Sequence, residues 1–383
     1  MKDGLSKEDL FSPGLEGIPA CHSKVCFIDG TAGILEYRDV RIEELAEHST
    51  FEETSYLLLK GKFPKADEMN QFDWDLRRHR RLKFKLADII KCLPEDGHPM
   101  GALQTAIAAL GVFHPMKNVA DPEENYHAML RLIAKIPTII ATYHRVRNNL
   151  EPMIPKDELN HAANFLYMLT GQEPRERDAK MMDICLILHA EHGLNASTFS
   201  GRVTGSTLAD PFAVIAAAIG TLSGPLHGGA NEEVIDMFRQ IGSADRVRPY
   251  IEERIAKKEK IMGLGHRVYK TKDPRAIILQ KLARQLFADK QDDPLMAVAE
   301  EVEKVALEKL SAKGIYPNVD FYSGIVYNQL AIPGDLNTCL FAMARISGWL
   351  AHWLEQLDGN RLYRPTQIYE GSHQKPYPPI DQR

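Results

Sequence analysis

The segment Gly224-Pro-Leu-His-Gly-Gly-Ala-Asn-Glu232 separates two helical patterns and leaves one histidine, His227, in the break between them. An apolar helical run over 213–222 stops at Gly224, and a new helical pattern begins at Asn231. The two glycines after His227 allow a ligand to approach the main chain closely. The positive end of the following helix disfavours an imidazolium ion. We therefore expect either a neutral His227 that acts as a general acid on a carbonyl oxygen, or a loop histidine that caps a helix.

Helical periodicity dominates on both sides of this segment, and strands do not alternate with helices. The sequence therefore predicts an all-α protein, with one short N-terminal β-hairpin formed by 25–28 and 33–37. The run over 208–223 is apolar on nearly every side, which predicts burial in a core or in a subunit interface. The predicted helices are 41–48, 52–60, 66–92, 100–112, 123–147, 157–170, 176–192, 208–223, 230–242, 247–259, 274–288, 294–313, 321–330 and 335–357.

Composition is that of an ordinary globular protein with room for two domains. The 383 residues are 44% hydrophobic and 26% charged, and the net charge of −5 argues against bulk attraction to nucleic acid or to a membrane surface. Five scattered cysteines form no Cys-x-x-Cys pair, so neither a disulfide framework nor a cysteine zinc site is expected. The first ten residues lack the features of a targeting segment, and we expect a cytoplasmic location.

Two histidines, His189 and His192, lie three residues apart at the end of an apolar helical run. Side chains at this spacing share one face of a helix and can bind zinc as a pair. However, the metalloprotease pattern His-Glu-x-x-His is missing, and no companion cysteine or carboxylate is evident. We predict no metal here, and a structural pair of core histidines stays open.

A glycine-containing loop over 262–275 is rich in side chains that recognise anions. Asp273 and Pro274 are a favourable N-cap and first residue, so a helix is expected to begin there. Arg275 then lies in the first turn, where a cation opposes the helix dipole and an anionic ligand would relieve the conflict. A solvated basic loop is the alternative for the lysines. The cationic and histidine side chains are His266, Arg267, Lys270, Lys272 and Arg275.

Two further segments carry single charged groups in apolar surroundings. Asp320 stands where a helix is expected to begin. Its side chain is either a base beside a ligand or a helix cap. Arg345 is the lone cation of an otherwise apolar helix, and a buried guanidinium requires an anion. A carboxylate ligand would pair with it in bidentate geometry. Arg364, in the irregular C-terminal tail, is a second clamp of the same kind.

The cluster Arg77-Arg-His-Arg-Arg81 is a possible nucleic-acid or phosphate site. It is followed by an apolar helical stripe in a protein of net negative charge. A solvated helix face or an interface charge cluster is therefore the favoured interpretation.

Taken together and in this order, the segments resemble citrate synthase along nearly the whole chain. The most specific matches are Gly224–Glu232 and Gly265-His-Arg-Val-Tyr-Lys-Thr-Lys-Asp-Pro-Arg275. Shorter matches are Gly14–Pro19, Ile28–Gly30, Gly33–Arg38 and Tyr56–Gly61. One departure is Asp39, where the family usually has glycine, and it affects the end of the hairpin and not the chemistry.

The resemblance implies a homodimer with shared active sites, in which each subunit has a large and a small helical domain. The large domain would comprise 1–228, the small domain 229–331, and residues 332–383 would return to the large domain and form a C-terminal arm. The small domain would close over the substrate.

The resemblance also implies a Claisen-type condensation of acetyl-CoA with oxaloacetate, followed by hydrolysis of citryl-CoA. Asp320 would remove a methyl proton, His227 would stabilise the thioester oxygen and His266 would polarise the ketone. Arg364 would come from the partner subunit. The implied oxaloacetate-binding residues are His192, His227, His266, Arg275, Arg345 and Arg364.

The region around Gly263 is similar to the family's CoA-binding loop, and no metal or cofactor is implied. A 2-methylcitrate synthase, acting on propionyl-CoA with the same residues, is the nearest alternative. A metal-dependent hydrolase and a helical nucleic-acid scaffold are more distant ones. The implied CoA-binding residues are Gly263, Leu264, Gly265, Lys270, Lys272 and Asn318.

Overall fold

The computed structural model describes residues 6–228, 230–287 and 293–383, and within these ranges it contains sixteen α-helices and three short strands. The strands are β1 (Cys26–Asp29), β2 (Ile34–Tyr37) and β3 (Val40–Arg41). The helices are α1 (Ile42–His48), α2 (Phe51–Lys60), α3 (Ala66–His79), α4 (Phe84–Lys91), α5 (Pro99–Phe113), α6 (Pro122–Arg147), α7 (His161–Thr170), α8 (Glu176–His189), α9 (Ala196–Gly205), α10 (Pro211–Leu222), α11 (Ala230–Ile241), α12 (Val247–Ala256), α13 (Pro274–Phe287), α14 (Leu295–Leu310), α15 (Val319–Gln329) and α16 (Asn337–Leu357).

The predicted all-α class is confirmed, but one predicted helix is interrupted and one helix was missed. The single helix expected over 66–92 is interrupted between α3 and α4, at residues 80–83. Helix α9 was missed because its Ser, Thr and Gly residues show no apolar period. Its start is nevertheless marked by Asn195, whose side chain accepts a hydrogen bond from the Thr198 amide at 3.1 Å.

The predicted hairpin is present and continues into a third strand. Strands β1 and β2 pair antiparallel with Ile28 opposite Leu35, and β2 pairs with β3 through Glu36 and Arg41. The turn between β2 and β3 contains Asp39 at φ 68°, a left-handed conformation that favours glycine and that aspartate tolerates better than most residues. The departure noted in the sequence therefore lies where a glycine would relieve strain.

Helix α16 is the centre of the molecule. It packs against α2, α6, α8, α9 and α10, and nearly all of its side chains are buried. Trp349 and Trp353 are among the largest fully buried side chains. Arg345 lies in the same helix and is 1% exposed, so a charge is carried into this core.

Helices α11 to α15 pack mainly against one another, through the pairs α13–α15, α11–α15 and α12–α14. They meet the rest of the chain where α13 contacts α1 and α8, and where α11 contacts α16. The loop between α12 and α13, which contains His266, runs along this boundary. Among the described residues, we find no helix of the length and apolarity that a membrane span requires.

The basic cluster 77–81 has a structural role that the sequence did not reveal. Arg80 is 1% exposed, and its Nη1 donates to the carbonyl oxygens of Lys156 and Leu159 at 2.8 and 2.7 Å. Arg77 donates to the Leu159 carbonyl at 3.1 Å. The expectation of a fully solvated face is therefore wrong for Arg80, because this side chain satisfies main-chain acceptors of the segment before α7.

Candidate active site

Side chains from five helix ends and loops meet beside Arg345. The ring of His192, just after α8, lies 5.1 Å from the ring of His266 between their centroids. The Arg345 charge contributes to lowering the pKa of His227, after burial as the main cause. It also opposes the burial that raises the pKa of Asp320, in the first turn of α15. These groups therefore share one electrostatic environment.

His227 is held as a neutral ring with its proton on Nδ1. The Ser197 main-chain N–H can only donate, and it lies 3.3 Å from His227 Nε2, so Nε2 is the acceptor. The Ser197 hydroxyl also contacts Nε2 at 2.8 Å. The same hydroxyl oxygen accepts from Trp349 Nε1 at 3.2 Å and lies 2.7 Å from Asn195 Oδ1. Burial, assisted by Arg345, lowers the pKa of His227 to about 4. At neutral pH its Nδ1–H is thus a neutral hydrogen-bond donor.

His266 carries its proton on the other nitrogen. Its Nδ1 accepts hydrogen bonds from the main-chain N–H groups of Val268 and Tyr269, at 3.0 and 3.2 Å. The proton of the neutral ring is therefore on Nε2. Burial, followed by the Arg275 charge, lowers the pKa of His266 to about 4. Two neutral histidines with opposite tautomers consequently face the same site.

His192 is buried, and its Nε2 lies 3.2 Å from the hydroxyl of Tyr269. Burial, followed by the Arg275 charge, keeps the pKa of His192 well below its ordinary value. Tyr269 is 1% exposed and was not singled out from the sequence. It joins His192 to the loop that presents His266.

The two buried guanidinium groups differ in how they are paired. Arg275 Nε and Nη2 donate to the two carboxylate oxygens of Asp273, at 3.0 and 2.6 Å. Burial opposes the Arg275 charge, but the Asp273 carboxylate outweighs it and the pKa of Arg275 is raised. The sequence predicted an external anion to relieve this helix end, and it missed the internal partner, Asp273.

The guanidinium group of Arg345 has fewer hydrogen-bond partners than that of Arg275. Its Nε donates to the His189 carbonyl at 2.7 Å and its guanidinium lies 4.6 Å from the centre of the Phe341 ring. Its Nη2 is buried and has no hydrogen-bond partner among the described residues. Burial lowers the pKa of Arg345, and the Glu191 carboxylate opposes this effect. A buried cationic donor without a partner is the arrangement expected for a group that binds an anion.

Asp320 has one carboxylate oxygen, Oδ1, that is buried and unpartnered among the described residues. Burial raises its pKa from 3.8 to about 6, with the Arg275 charge opposing. The helix cap is Asn318, whose Oδ1 accepts from the Asp320 amide at 2.9 Å, so the capping interpretation of Asp320 is wrong. A carboxylate that is ionised near pH 7 and lacks a donor is suited to accept a proton.

A family model for the citrate synthase C-terminal domain matches residues 14–366. A citrate synthase of Synechocystis is 57% identical over 379 residues, which covers 99% of this chain and 96% of the relative. The chain belongs to the citrate synthase family. A Pyrobaculum aerophilum citrate synthase structure superposes with a TM-score of 0.91 at 40% identity, covering 97% of this chain and 95% of the other.

A Thermoplasma acidophilum citrate synthase, solved as a ternary complex with carboxymethyl coenzyme A and oxaloacetate, gives a TM-score of 0.93. It is 32% identical and the match covers 97% of this chain and 99% of that one. The relatives indicate a citrate (Si)-synthase, an acyltransferase, and do not favour the alternative 2-methylcitrate synthase.

Within the citrate synthase fold, one group of side chains has the spacing of a metal site. Ligand atoms of His192, His266 and Asp273 lie within 4.8 Å of one another. Both Asp273 oxygens already accept from Arg275, and His266 Nδ1 already accepts two main-chain N–H groups. The one carboxylate of this group is therefore already paired with a guanidinium, and His266 Nδ1 is unavailable to a metal ion. The interpretation of His189 and His192 as a zinc-binding pair is also not supported, because His189 Nδ1 contacts the Cys185 carbonyl at 2.8 Å within α8.

The predicted CoA-binding residues fall into two groups. Residues 263–265 lie against the start of α15, where Asn318 Nδ2 donates to the Gly265 carbonyl at 2.9 Å. Lys270 is exposed. Lys272, by contrast, is paired with Glu303 and donates to Gln280 at 2.9 Å, so its charge is already used within the chain.

Arg364 is exposed and, within the described part of the chain, has no hydrogen bond or ion pair to the residues around Arg345. A buried carboxylate that the sequence did not single out, Glu191, directly precedes His192 in the chain. Glu191 is 0% exposed and accepts from His352 Nε2 at 3.1 Å, while Arg202 donates to His352 Nδ1 at 3.2 Å. Of these groups, the Glu191 carboxylate opposes the burial that lowers the pKa of Arg345.

Proposed function

We propose that this protein condenses acetyl-CoA with oxaloacetate and hydrolyses the resulting citryl-CoA to citrate and CoA. The observation that carries the proposal is the coexistence of an unpartnered, largely ionised Asp320 with a neutral Nδ1–H donor on His227. A weak carbon acid requires such a base on one side and such a donor at its carbonyl oxygen.

The first step is proton transfer from carbon. Asp320 takes a proton from the methyl group of acetyl-CoA, and the electron pair of that C–H bond moves into the thioester. His227 Nδ1–H stabilises the negative charge that develops on the thioester oxygen. Each contribution is worth about 10²–10⁴-fold in rate.

The second step is addition to the ketone of oxaloacetate. His266 Nε2–H polarises the ketone oxygen while Arg275, Arg345 and His192 hold the carboxylate groups. The enol carbon forms the new carbon–carbon bond, and the ketone oxygen takes the proton of His266 Nε2 to become the hydroxyl group of citryl-CoA. Water then cleaves the thioester to give citrate and CoA.

We also propose the domain division 1–228, 229–331 and 332–383, with closure of the second unit over the site. Its first residue, 229, lies outside the described residues. The grouping of α11 to α15 supports this division, because these helices pack mainly with one another. Closure excludes water from the enol intermediate.

A homodimer is the proposed assembly, with Arg364 reaching the partner's site. The adjacent helices α5 and α10 leave a face of small and apolar side chains accessible to solvent, including Val112, which is 81% exposed. Such a face is typical of a subunit interface. Its other members are Gly101, Thr105, Ala108, Ala213, Ala216 and Ala217.

For CoA, we propose the 263–265 loop with Asn318 as its support and Lys270 as the phosphate-binding lysine. Lys272 is the weaker member of the predicted set because Glu303 neutralises it. The proposed reaction needs no metal and no organic cofactor, since acid–base groups of the chain supply every proton transfer. A cytoplasmic location is proposed as well.

The decisive experiment is a thiol-release assay with oxaloacetate and either acetyl-CoA or propionyl-CoA. We expect a higher kcat/KM for acetyl-CoA. One extra methylene group is worth only about 1–3 kcal/mol, so the expected preference is roughly 10- to 200-fold. A preference for propionyl-CoA would establish a 2-methylcitrate synthase instead, and no thiol release with either would overturn the proposed function.

A further inference from the structure

The turn between β1 and β2 lies directly against the loop that carries His266. The Lys270 main-chain N–H donates to the Gly30 carbonyl at 2.9 Å. A Cβ atom added at Gly30 would lie 2.1 Å from the Val268 carbonyl oxygen and 2.6 Å from its carbon. Only glycine therefore allows the two backbones to meet at this point.

The backbone that meets Gly30 is the same backbone that fixes the tautomer of His266. Val268 and Tyr269 supply the two N–H groups that His266 Nδ1 accepts. Tyr269 also places its hydroxyl on His192. A displacement of 268–270 would therefore reach both histidines.

The turn itself is held by one carboxylate. Asp29 Oδ1 accepts from the main-chain N–H groups of Thr31 and Ala32, each at 2.9 Å. The exposed Thr31 side chain makes no hydrogen bond among the described residues and is not part of the contact. The turn thus contains one residue that touches the loop, Gly30, and one that shapes the turn, Asp29. Thr31 does neither and can serve as a control position.

We propose that the β1–β2 turn is a positioning element of the active site, in which Gly30 seats residues 268–270 so that His266 keeps its proton on Nε2. The assignment of Nε2–H to the oxaloacetate ketone rests on the proposed function. The effect of the turn on the His266 tautomer does not, because it follows from the hydrogen bonds of the substrate-free chain.

A side chain at Gly30 forces a specific change. Ordinary contact with a Cβ begins near 3.4 Å, so the Val268 carbonyl oxygen, 2.1 Å away, has to retreat by about 1.3 Å. Main-chain hydrogen bonds of 3.0 and 3.2 Å are lost over such a distance. His266 Nδ1 is then free to carry the single proton of the neutral ring, which removes that proton from Nε2.

The principal test compares Gly30→Ala with the control Thr31→Ala. We expect Gly30→Ala to lower kcat at least about 10²-fold, the lower end of the range for loss of one acid–base contribution. The ¹³C resonance of bound oxaloacetate labelled at the ketone carbon should move towards its value in free solution. Thr31→Ala should match the wild type in both measurements. Wild-type turnover in Gly30→Ala, or lost turnover with an unchanged ketone resonance, would overturn the proposal.

A measurement without substrate separates this inference from the proposed function. The ¹⁵N shifts of the His266 ring report the tautomer in the free protein, and we expect Nε2–H in the wild type and its loss in Gly30→Ala. Failure of thiol release in the wild type would overturn the proposed function alone. An unchanged tautomer in Gly30→Ala would overturn the positioning role alone.

A second pair of variants covers the case in which Gly30→Ala does not fold. Asp29→Ala removes the acceptor that shapes the turn, whereas Asp29→Asn keeps an oxygen at the same place. We expect Asp29→Ala to shift the ¹⁵N signature and turnover in the same direction as Gly30→Ala, and Asp29→Asn to restore both. Equal behaviour of the two Asp29 variants would contradict the proposal.

Discussion

Replacement of Asp320 by asparagine is expected to abolish most activity and to stabilise the fold. The variant loses the proposed base, so kcat should fall at least about 10²-fold while the affinity for oxaloacetate is retained. The effect on stability follows from the pKa. Burial raises the pKa of Asp320 from 3.8 to about 6, so the folded state holds the proton more tightly than the unfolded chain does.

The sign and size of the stability change can be worked out from this shift. As pH rises from about 4 to about 6, the unfolded chain ionises first, and stability is lost. Above that window the penalty is constant at about 3 kcal/mol, since one pKa unit corresponds to about 1.4 kcal/mol. The variant also loses the favourable interaction of a carboxylate with the first turn of α15, which lowers its stability by up to about 1 kcal/mol. A net gain of about 2 kcal/mol is therefore expected near pH 7.

The assay combines thiol release with thermal unfolding at several pH values. Asp320→Asn should melt above the wild type at neutral pH, and the difference should shrink as pH falls from about 6 to about 4 and vanish below pH ~3, where the wild-type carboxyl is protonated in both states. Near-wild-type turnover would refute the base assignment. Lost turnover with a lower melting temperature at neutral pH would mean that Asp320 stabilises the structure instead.

Three further outcomes are expected. His227→Ala should lower turnover at least about 10²-fold, whereas His189→Ala should mainly lower the melting temperature, because the His189 ring packs against Phe341 and Tyr327; a folded but inactive His189→Ala would contradict this. Mixed Arg364→Ala and Asp320→Ala subunits, each inactive alone, should regain activity towards half of the wild-type level in heterodimers, and inactivity despite proven subunit exchange would remove Arg364 from the partner's site. Burial, then the Glu52 charge, raises the pKa of Asp183 from 3.8 to about 7. Asp183→Asn should therefore raise the melting temperature at about pH 8 and not at about pH 4. Equal shifts of the melting temperature at both pH values would refute the reasoning.

Residue identity and local pattern were sufficient to predict the positions that carry charge or sit in turns. His227 was predicted from a glycine-flanked break between helices, and Arg345 from a lone cation in an apolar helix. The partners of these groups were not predictable in the same way. Ser197, which sets the His227 tautomer, lies thirty residues earlier in the chain, and it begins a helix that has no apolar period.

Partners close in sequence were also missed when one residue served two purposes. Asp273 was correctly expected to begin a helix, yet its bidentate pairing with Arg275 depends on how the side chain of a first-turn arginine folds back. Asn318, which was predicted to bind CoA, is the residue that caps α15, where Asp320 had been considered as the cap. Composition and spacing do not distinguish between two polar residues that can fill the same helix position.

The hydrogen-bond donors that fix the tautomers of His227 and His266 are main-chain N–H groups, which no substitution other than proline deletes. A library that randomises every polar neighbour of the site would therefore leave the acid–base state of both rings largely intact. The pocket around the acyl group can be reshaped for other thioesters with the proton-transfer chemistry held constant. The vulnerable positions for such redesign are instead those where the chain path itself is set, which are tight turns and the starts of helices.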